Sequence, residues 1–391
     1  MSMIYLDHAA ATPVATKVLE AMKPFFSAEF FNPSSAYLPA KRVRETYEKA
    51  KGEIANFVGA KGNDLIITSG ATEANALAFT SVNGVNEARS ENAKILVLET
   101  EHASVLNNAK KYGFETIRVD KTGLVDLADL ERKLTDDVEL VSVSLANNEL
   151  GTIQPIAEIA QILREVRLER LRRGVLTQLL LHSDASQGLE LIDLNVARLG
   201  VDLLTMNSGK VSGPKGVGAL YVGRDVRLKP LIDGGGQERN LRSGTENVAG
   251  VVGFAKALEL KKGHSSFARK KYLRLAEILK NELKNCAVEP VFLGNPKRQL
   301  ANFLPLSFPG LDAERLILKL EEHEVYVSTG AACSASKGEP SRTLKAIGLS
   351  EAEIAGSLRL TLGVLNDEAN VKEAGKIIAE VVNAEYRRVN E

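Results

Sequence analysis

The sequence predicts an α/β chain of two packed units, and three observations carry that expectation. Its 391 residues exceed one ordinary single-core domain. Its 44% apolar content can fill two cores. From Lys61 to about Val222, short β-rich runs alternate with helical ones. The runs are Leu65 to Ile67, Ile95 to Leu98, Thr116 to Val119, Leu140 to Val143, Leu179 to Leu181, Leu203-Leu204 and Ala219 to Val222. Such alternation predicts a mainly parallel sheet. Upstream, Val43, Tyr47, Ala50, Ile54 and Phe57 fall at helical spacing with Arg44, Glu45, Glu48, Lys49 and Lys51 between them, which predicts an amphipathic helix. After Asp233-Gly234-Gly235-Gly236, the stretch Val248 to Leu283 reads as one long helix, and the remainder mixes short strands with helices. A smaller C-terminal α/β unit is expected there.

Fifty Lys and Arg balance fifty Asp and Glu, so a general polyanion binder is not expected and nucleic acid is not an expected partner. The uncharged runs Ala74 to Asn86 and Gln299 to Leu311 are too short for a membrane span. The opening Met1 to Asp7 has no basic stretch followed by an apolar run, so it does not read as a signal peptide, and a cytoplasmic location is the default. No metal is expected. Cys286 and Cys333 can remain free thiols in a chain this large.

Ligands of open α/β sheets bind beyond the carboxyl ends of strands, so polar residues just after each β run are the candidates for chemistry. Thr68-Ser69-Gly70-Ala71-Thr72-Glu73 follows one strand and leads into a helical run from Ala74, where small residues allow backbone N–H groups to approach an anion. A plain N-cap by Thr72 is the alternative. His102, Asn147-Asn148-Glu149, and Asp184 with Gln187 follow three further strands. Asp184 comes directly after apolar residues, where an unpaired carboxylate is costly; it should have a cationic partner or several donors, or else cap a helix. Lys210 lies in the turn-rich Met206 to Gly218, where a desolvated amine becomes available for imine chemistry; Lys215 competes for that role. Cys333 stands in a run of small residues from Ser328 to Pro340 that suits an exposed thiol, whereas Cys286 near a helix end looks inert. Arg359 interrupts an apolar strand-like run and should bind a carboxylate, either a ligand's or an internal one.

Together these motifs resemble the cysteine desulfurases of the class V aminotransferase family, and more closely the NifS/IscS-like branch than the SufS-like one. The resemblance runs from Tyr5-Leu6-Asp7-His8-Ala9-Ala10 through Asn32-Pro33-Ser34-Ser35, Ser69 to Glu73, Glu101-His102, Asn147 to Glu149, Asp184 to Gln187, Gly213 to Gly216, Gly234 to Arg239 and Arg242 to Thr245, to the Cys333 loop. It implies the fold type I of pyridoxal 5'-phosphate (PLP) enzymes, with a large PLP-binding domain over 13–260 and a small domain made of 1–12 and 261–391. It implies that Lys210 carries the coenzyme as a Schiff base and leaves Lys215 structural. His102 would stack on the ring, Asp184 would pair with the ring nitrogen, and Gln187 and Asn148 would contact the side of the ring oxygen. Ala71, Thr72, Asn207 and Thr245 of the partner subunit would hold the phosphate, which implies a homodimer. Arg359, with Asn148 nearby, would bind the substrate carboxylate.

The implied reaction converts L-cysteine to L-alanine: Lys210 moves the Cα proton, Cys333 attacks the substrate sulfur, and the resulting persulfide passes to an acceptor such as an iron–sulfur scaffold or a thio-modification pathway. Three departures stand out. Asn207-Ser208-Gly209 replaces the family's usual Ser-x-His, changing one phosphate ligand and removing another; a lost charge-assisted hydrogen bond would cost about 1.5–3 kcal/mol. Phe31 replaces a usual glycine, and Ala11 stands where a threonine is common. Another class V lyase or transaminase, and a weakly active homologue serving as a dimeric scaffold, are the alternatives.

Overall fold

The computed structural model describes residues 3–82, 93–329 and 340–391. All seven β-rich runs become neighbours in one sheet. Its strands are β2 (Leu65–Thr68), β3 (Lys94–Leu98), β4 (Gly113–Ile117), β5 (Val138–Ser142), β6 (Leu180–Asp184), β7 (Leu203–Asn207) and β8 (Gly218–Val222), in the order β2-β8-β7-β6-β5-β3-β4. β8 runs antiparallel to β2 and β7; the other pairings are parallel. β6 extends past its apolar run to end on Asp184, whereas β4 stops at Ile117, and Val119 instead forms a bridge with Val125.

Apart from the edge strand β4, the strands are buried on both faces, and successive side chains enter different cores. Leu65 and Ile67, Leu96 and Leu98, and Leu204 and Met206 join a core completed by helices α1 (Thr16–Met22), α2 (Leu38–Phe57) and others. Ile66, Ile95, Val97 and Leu203 face α3 (Ala71–Phe79) and α4 (Ala103–Ala109). The sheet is therefore a middle layer. Further along lie α5 (Leu127–Lys133), α6 (Ile156–Arg172) and α7 (Val196–Leu199).

The single long helix expected over Val248 to Leu283 is two, α8 (Val248–Lys261) and α9 (Ser265–Leu283). Gly263, with φ +75°, takes the left-handed conformation that ends the first. A second sheet, in the order β12-β13-β10-β9, contains β9 (Val291–Phe292), β10 (Phe303–Ser307), β12 (Ser328–Thr329) and β13 (Ser357–Thr361). β1 (Ile4–Tyr5) pairs in parallel with β11 (Val325–Tyr326), and Thr361 N donates to Leu6 O. Ile4 and Leu6 accordingly share a core with residues between Tyr272 and Val382, while the large core draws on residues between Val18 and Leu258. Later helices are α10 (Ala313–Glu321), α11 (Arg342–Ala346), α12 (Glu351–Ala355) and α13 (Glu368–Asn390). Among the described residues, no helix is long and apolar enough to cross a membrane.

Candidate active site

Asp184 ends β6 with its side chain buried, and two donors hold its carboxylate. Asn75 Nδ2 donates to Oδ2 at 2.8 Å and Ser186 N to Oδ1 at 2.9 Å. Donors rather than a helix cap therefore answer the need of this carboxylate. Two residues back on β6, His182 is fully buried between Ser142 Oγ (2.8 Å) and Thr205 Oγ1 (3.0 Å). Burial pulls its pKa down to about 4 against the opposing pull of Asp184, so it is neutral.

His102 caps α4, and its Nδ1 accepts from Ser104 N at 3.1 Å. Burial lowers its pKa; the Asp184 charge opposes that shift and Lys210 adds to it. The preceding Glu101 has its carboxyl buried against Ser144, whose N–H lies 2.5 Å from Oε1 and whose hydroxyl meets Oε2. Desolvation raises that carboxyl to about 8, helped by the nearby Asp184 charge.

Lys210 ends a 3₁₀ turn, Ser208–Lys210, just after β7 and is half-buried rather than enclosed. Its Nζ donates to the carbonyls of Ala9 and Ala10, both at 2.7 Å, and Gln187 Nε2 donates to Ala9 O at 3.2 Å. The N-terminal segment thus lies over the lysine turn. Thr12 fastens it there, donating from Oγ1 to Gly209 O at 3.0 Å and accepting from Ser212 N at 2.9 Å. Lys215, the competing amine, is exposed and donates to Thr12 O at 3.0 Å. Asn207 Oδ1 accepts from Gly209 N at 3.2 Å and stabilises the turn.

The helix expected from Ala74 begins three residues earlier. Gly70, with φ +152°, is the N-cap and offers no side chain, so Thr72 is not the cap: it is the exposed second residue of α3, after half-buried Ala71. A side chain at Gly218 on β8 would meet Gly70 at 2.6–2.7 Å, so the loop packs closely on the sheet. From the far side, Arg242 Nε pairs with Glu73 Oε1 at 3.1 Å, while Thr245 is exposed on the same loop.

Arg359 on β13 is buried, and the structure shows the internal one of the two carboxylates raised for it. An internal carboxylate occupies one edge, with Nη2 2.7 Å from Asp7 Oδ1, and Nη1 donates to Asn148 O at 2.9 Å. Its buried Nε has no partner among the described residues. Asn147 holds the turn that follows it, accepting from Glu149 N and Leu150 N at 2.8 Å. Glu149 in turn accepts from Ser341 Oγ at 2.5 Å and Thr343 Oγ1 at 2.8 Å. Cys333 lies outside the described residues. Cys286 is half-buried, and burial raises its thiol to about 11, which makes it a poor nucleophile. Phe31 packs on Phe30 (4.6 Å between centroids) and edge-on to Tyr37 (6.0 Å).

Sequence reasoning did not single out Asn75, Ser104, Asp7, Thr12 or His182. Two left a signal: Asn75 is an uncharged polar residue inside an apolar helical run, and Ser104 stands two residues after a histidine at a helix start.

Residues 4–373 match the family described as aminotransferase class-V. Cysteine desulfurase IscS 1 of Archaeoglobus fulgidus is 41% identical over 388 residues, covering 97% of each chain. Cysteine desulfurase IscS of Dictyoglomus turgidum is 39% identical over 97% of this chain and 94% of its own. Among solved structures, a NifS-like protein superposes with a TM-score of 0.89 at 32% identity, covering 98% of this chain and 100% of that one. SspA in complex with cysteine gives 0.78 at 32%, covering 92% and 98%. On this match across nearly its whole length, the chain belongs to the class-V aminotransferase family, in the NifS/IscS-like branch of its cysteine desulfurases.

Proposed function

We propose that this chain is a PLP-dependent cysteine desulfurase that converts L-cysteine to L-alanine and leaves the sulfur as a persulfide on Cys333. The observation that carries the reading is the gathering of Lys210 after β7, Asp184 at the end of β6 and His102 after β3 at one edge of the sheet. The chain's named relatives are cysteine desulfurases.

The residues suit the coenzyme on their own chemistry. A buried carboxylate held by N–H donors matches a ring nitrogen that must stay protonated. An uncapped helix start leaves backbone N–H donors for a phosphate. In this reading Asp184 pairs with the ring nitrogen, His102 stacks on the ring, and Gln187 and Asn148 contact the side of the ring oxygen. Ala71, Thr72, Asn207 and Thr245 of the partner subunit hold the phosphate, so the working form is a homodimer. When bound, the coenzyme supplies a protonated aromatic ring that absorbs the electrons left by Cα–H cleavage.

The chain's own groups do the rest. Arg359, whose buried Nε has no partner among the described residues and which lies beside Asn148, holds the substrate carboxylate. Lys210 Nζ takes the Cα proton and later returns it. The Cys333 thiolate forms an S–S bond to the substrate sulfur as the Cβ–S bond breaks; that bond's electron pair stays with carbon, and protonation there completes the methyl group of alanine. The persulfide then passes to an acceptor, such as an iron–sulfur scaffold or a thio-modification enzyme, in the cytoplasm. The two separate hydrophobic cores support a division into a large domain, 13–260, and a small one, 1–12 with 261–391.

The test is to add L-cysteine, with dithiothreitol as the thiol reductant that releases the persulfide sulfur as sulfide, to purified wild type and Cys333→Ala and measure alanine and sulfide. Wild type should release both in equal amounts and the variant neither; alanine formation that persists without Cys333 removes it from the mechanism. Gly209, in place of a usual phosphate-binding histidine, favours a second reading, a weakly active dimeric scaffold. A wild type that binds no coenzyme would support that one instead.

A further inference from the structure

Asn75, fully buried one turn into α3, uses both amide hydrogens on two residues far from it in sequence. Nδ2 donates to Asp184 Oδ2 at 2.8 Å and to Ser104 Oγ at 2.9 Å. A serine oxygen that accepts from Asn75 keeps its own hydrogen to give, and His102 Nδ1 lies 2.8 Å away. The Ser104 backbone N–H points at the same nitrogen at 3.1 Å. With two donors on Nδ1, the neutral imidazole must carry its proton on Nε2.

The chain of donors has one direction, fixed at the carboxylate. Ionised Asp184 can only accept. Turning the Asn75 amide over would set its oxygen against the carboxylate and against a hydroxyl that must then donate to it, taking that hydrogen from His102. The observed orientation is kept although Asn75 Oδ1 is buried without a partner among the described residues.

We propose that Asn75 and Ser104 are positioning residues that couple the ionised state of Asp184 to the Nε2–H tautomer and ring orientation of His102. The tautomer follows from hydrogen bonding alone; its consequence for coenzyme binding rests on the function proposed above. If Asp184 holds the ring nitrogen and His102 the ring face, the two contacts are set by one continuous chain rather than separately. The other groups bearing on His102 are Lys210, whose charge opposes its protonation, and Glu101, whose carboxyl is turned to Ser144.

The experiment is ¹⁵N NMR of the histidine rings in coenzyme-free protein, with His102→Gln assigning the signal, for wild type, Ser104→Ala, Ser104→Thr and Asn75→Leu. Wild type should show the Nε2–H tautomer. Removing the hydroxyl takes a donor from Nδ1, which favours protonation, so the His102 midpoint in Ser104→Ala should rise by about half to one pH unit. Ser104→Thr, which keeps the hydroxyl and reports on folding, should return it towards wild type. Coenzyme affinity by fluorescence titration should fall roughly threefold to tenfold in Ser104→Ala and Asn75→Leu. An Nδ1–H tautomer in wild type, or a midpoint unchanged in Ser104→Ala, overturns the coupling. Failure to trap coenzyme on Lys210 of wild type with borohydride overturns the proposed function instead, while the ring signals still decide the coupling.

Discussion

Lys210 Nζ lies 2.7 Å from the carbonyl oxygen of Ala9, the same oxygen that accepts from Gln187 Nε2. The amine is thus parked on the N-terminal segment, and Ala10 O at 2.7 Å holds it from a second side. The amine must leave these two carbonyls to act as nucleophile or base. Lys210→Ala should abolish borohydride-stable coenzyme attachment and cut turnover by at least about 10²–10⁴-fold, the usual contribution of a general base. Lys215→Ala should keep the label. Peptide mass spectrometry after reduction decides between them, and a label lost only from Lys215→Ala would transfer the role.

Glu101 should make the protein less stable as pH rises. Its folded pKa of about 8 stands above the ordinary value of 4.5, because burial disfavours the charge. Between those values the folded chain keeps a proton that the unfolded chain has lost. Its contribution is therefore fully present below about 4.5 and lost as pH climbs through about 8. Glu101→Gln resembles the neutral acid and can satisfy both Ser144 contacts. The difference in stability between variant and wild type should shift in the variant's favour between pH 5 and pH 9. Chemical unfolding at the two pH values checks this; parallel curves would mean that Glu101 is ionised throughout.

Lys51 should prove to be a tether for the glycine-rich loop. On the helix pattern it falls among the polar residues, yet it is buried, with Nζ 2.7 Å from Glu238 Oε2. Glu238 also accepts from Tyr47 OH and from Ile67 N, at 2.8 Å for the latter. Glu238, Arg239 and Asn240 all adopt left-handed backbone, at φ 45°, 61° and 61°, a conformation that costs non-glycine residues free energy and must be held from outside. Lys51→Met leaves a buried carboxylate without its cation and should cost about 3–5 kcal/mol in urea unfolding. Lys51→Met with Glu238→Gln should recover much of that loss. Failure to recover would locate the cost in packing instead.

The strands were legible because each combines β-branched or leucine-rich residues with a polar residue just beyond, and that pattern marked Asp184 and His102 as well; Lys210 was marked instead by the turn-rich stretch around it. Boundaries were less so. β6 runs on through His182 and Ser183 to Asp184, because the His182 ring finds partners on both neighbouring strands and the backbone keeps its pairing with β7. The break at Gly263 was hidden by helix-forming residues on either side. Long-range pairs such as Lys51 with Glu238, or Arg359 with Asp7, leave no local periodicity, since the partners are 187 and 352 residues apart. Asn75 differs in kind: its position in an apolar run was visible, but its two acceptors are brought together only by the fold.

Gly209 offers a gain-of-function test. The residue is in an ordinary backbone region, and a Cβ built on it would meet Lys215 Cγ at 3.6 Å and Asn207 Oδ1 at 3.7 Å, both normal contacts. Neither strain nor crowding at Cβ therefore explains the glycine. Asn207 Oδ1 is already occupied by Gly209 N, which leaves only its amide N–H groups for a phosphate. If Gly209→His restores a charge-assisted hydrogen bond of about 1.5–3 kcal/mol, coenzyme affinity should rise roughly tenfold to a hundredfold. The gain should shrink as pH rises above the imidazole pKa, because only the protonated ring brings its charge to the phosphate. Equilibrium dialysis of coenzyme at pH 6 and pH 8.5 measures both effects. Unchanged affinity at either pH would show that the side chain at 209 does not reach the phosphate, and the phosphate site would then have to be sought away from the turn before Lys210.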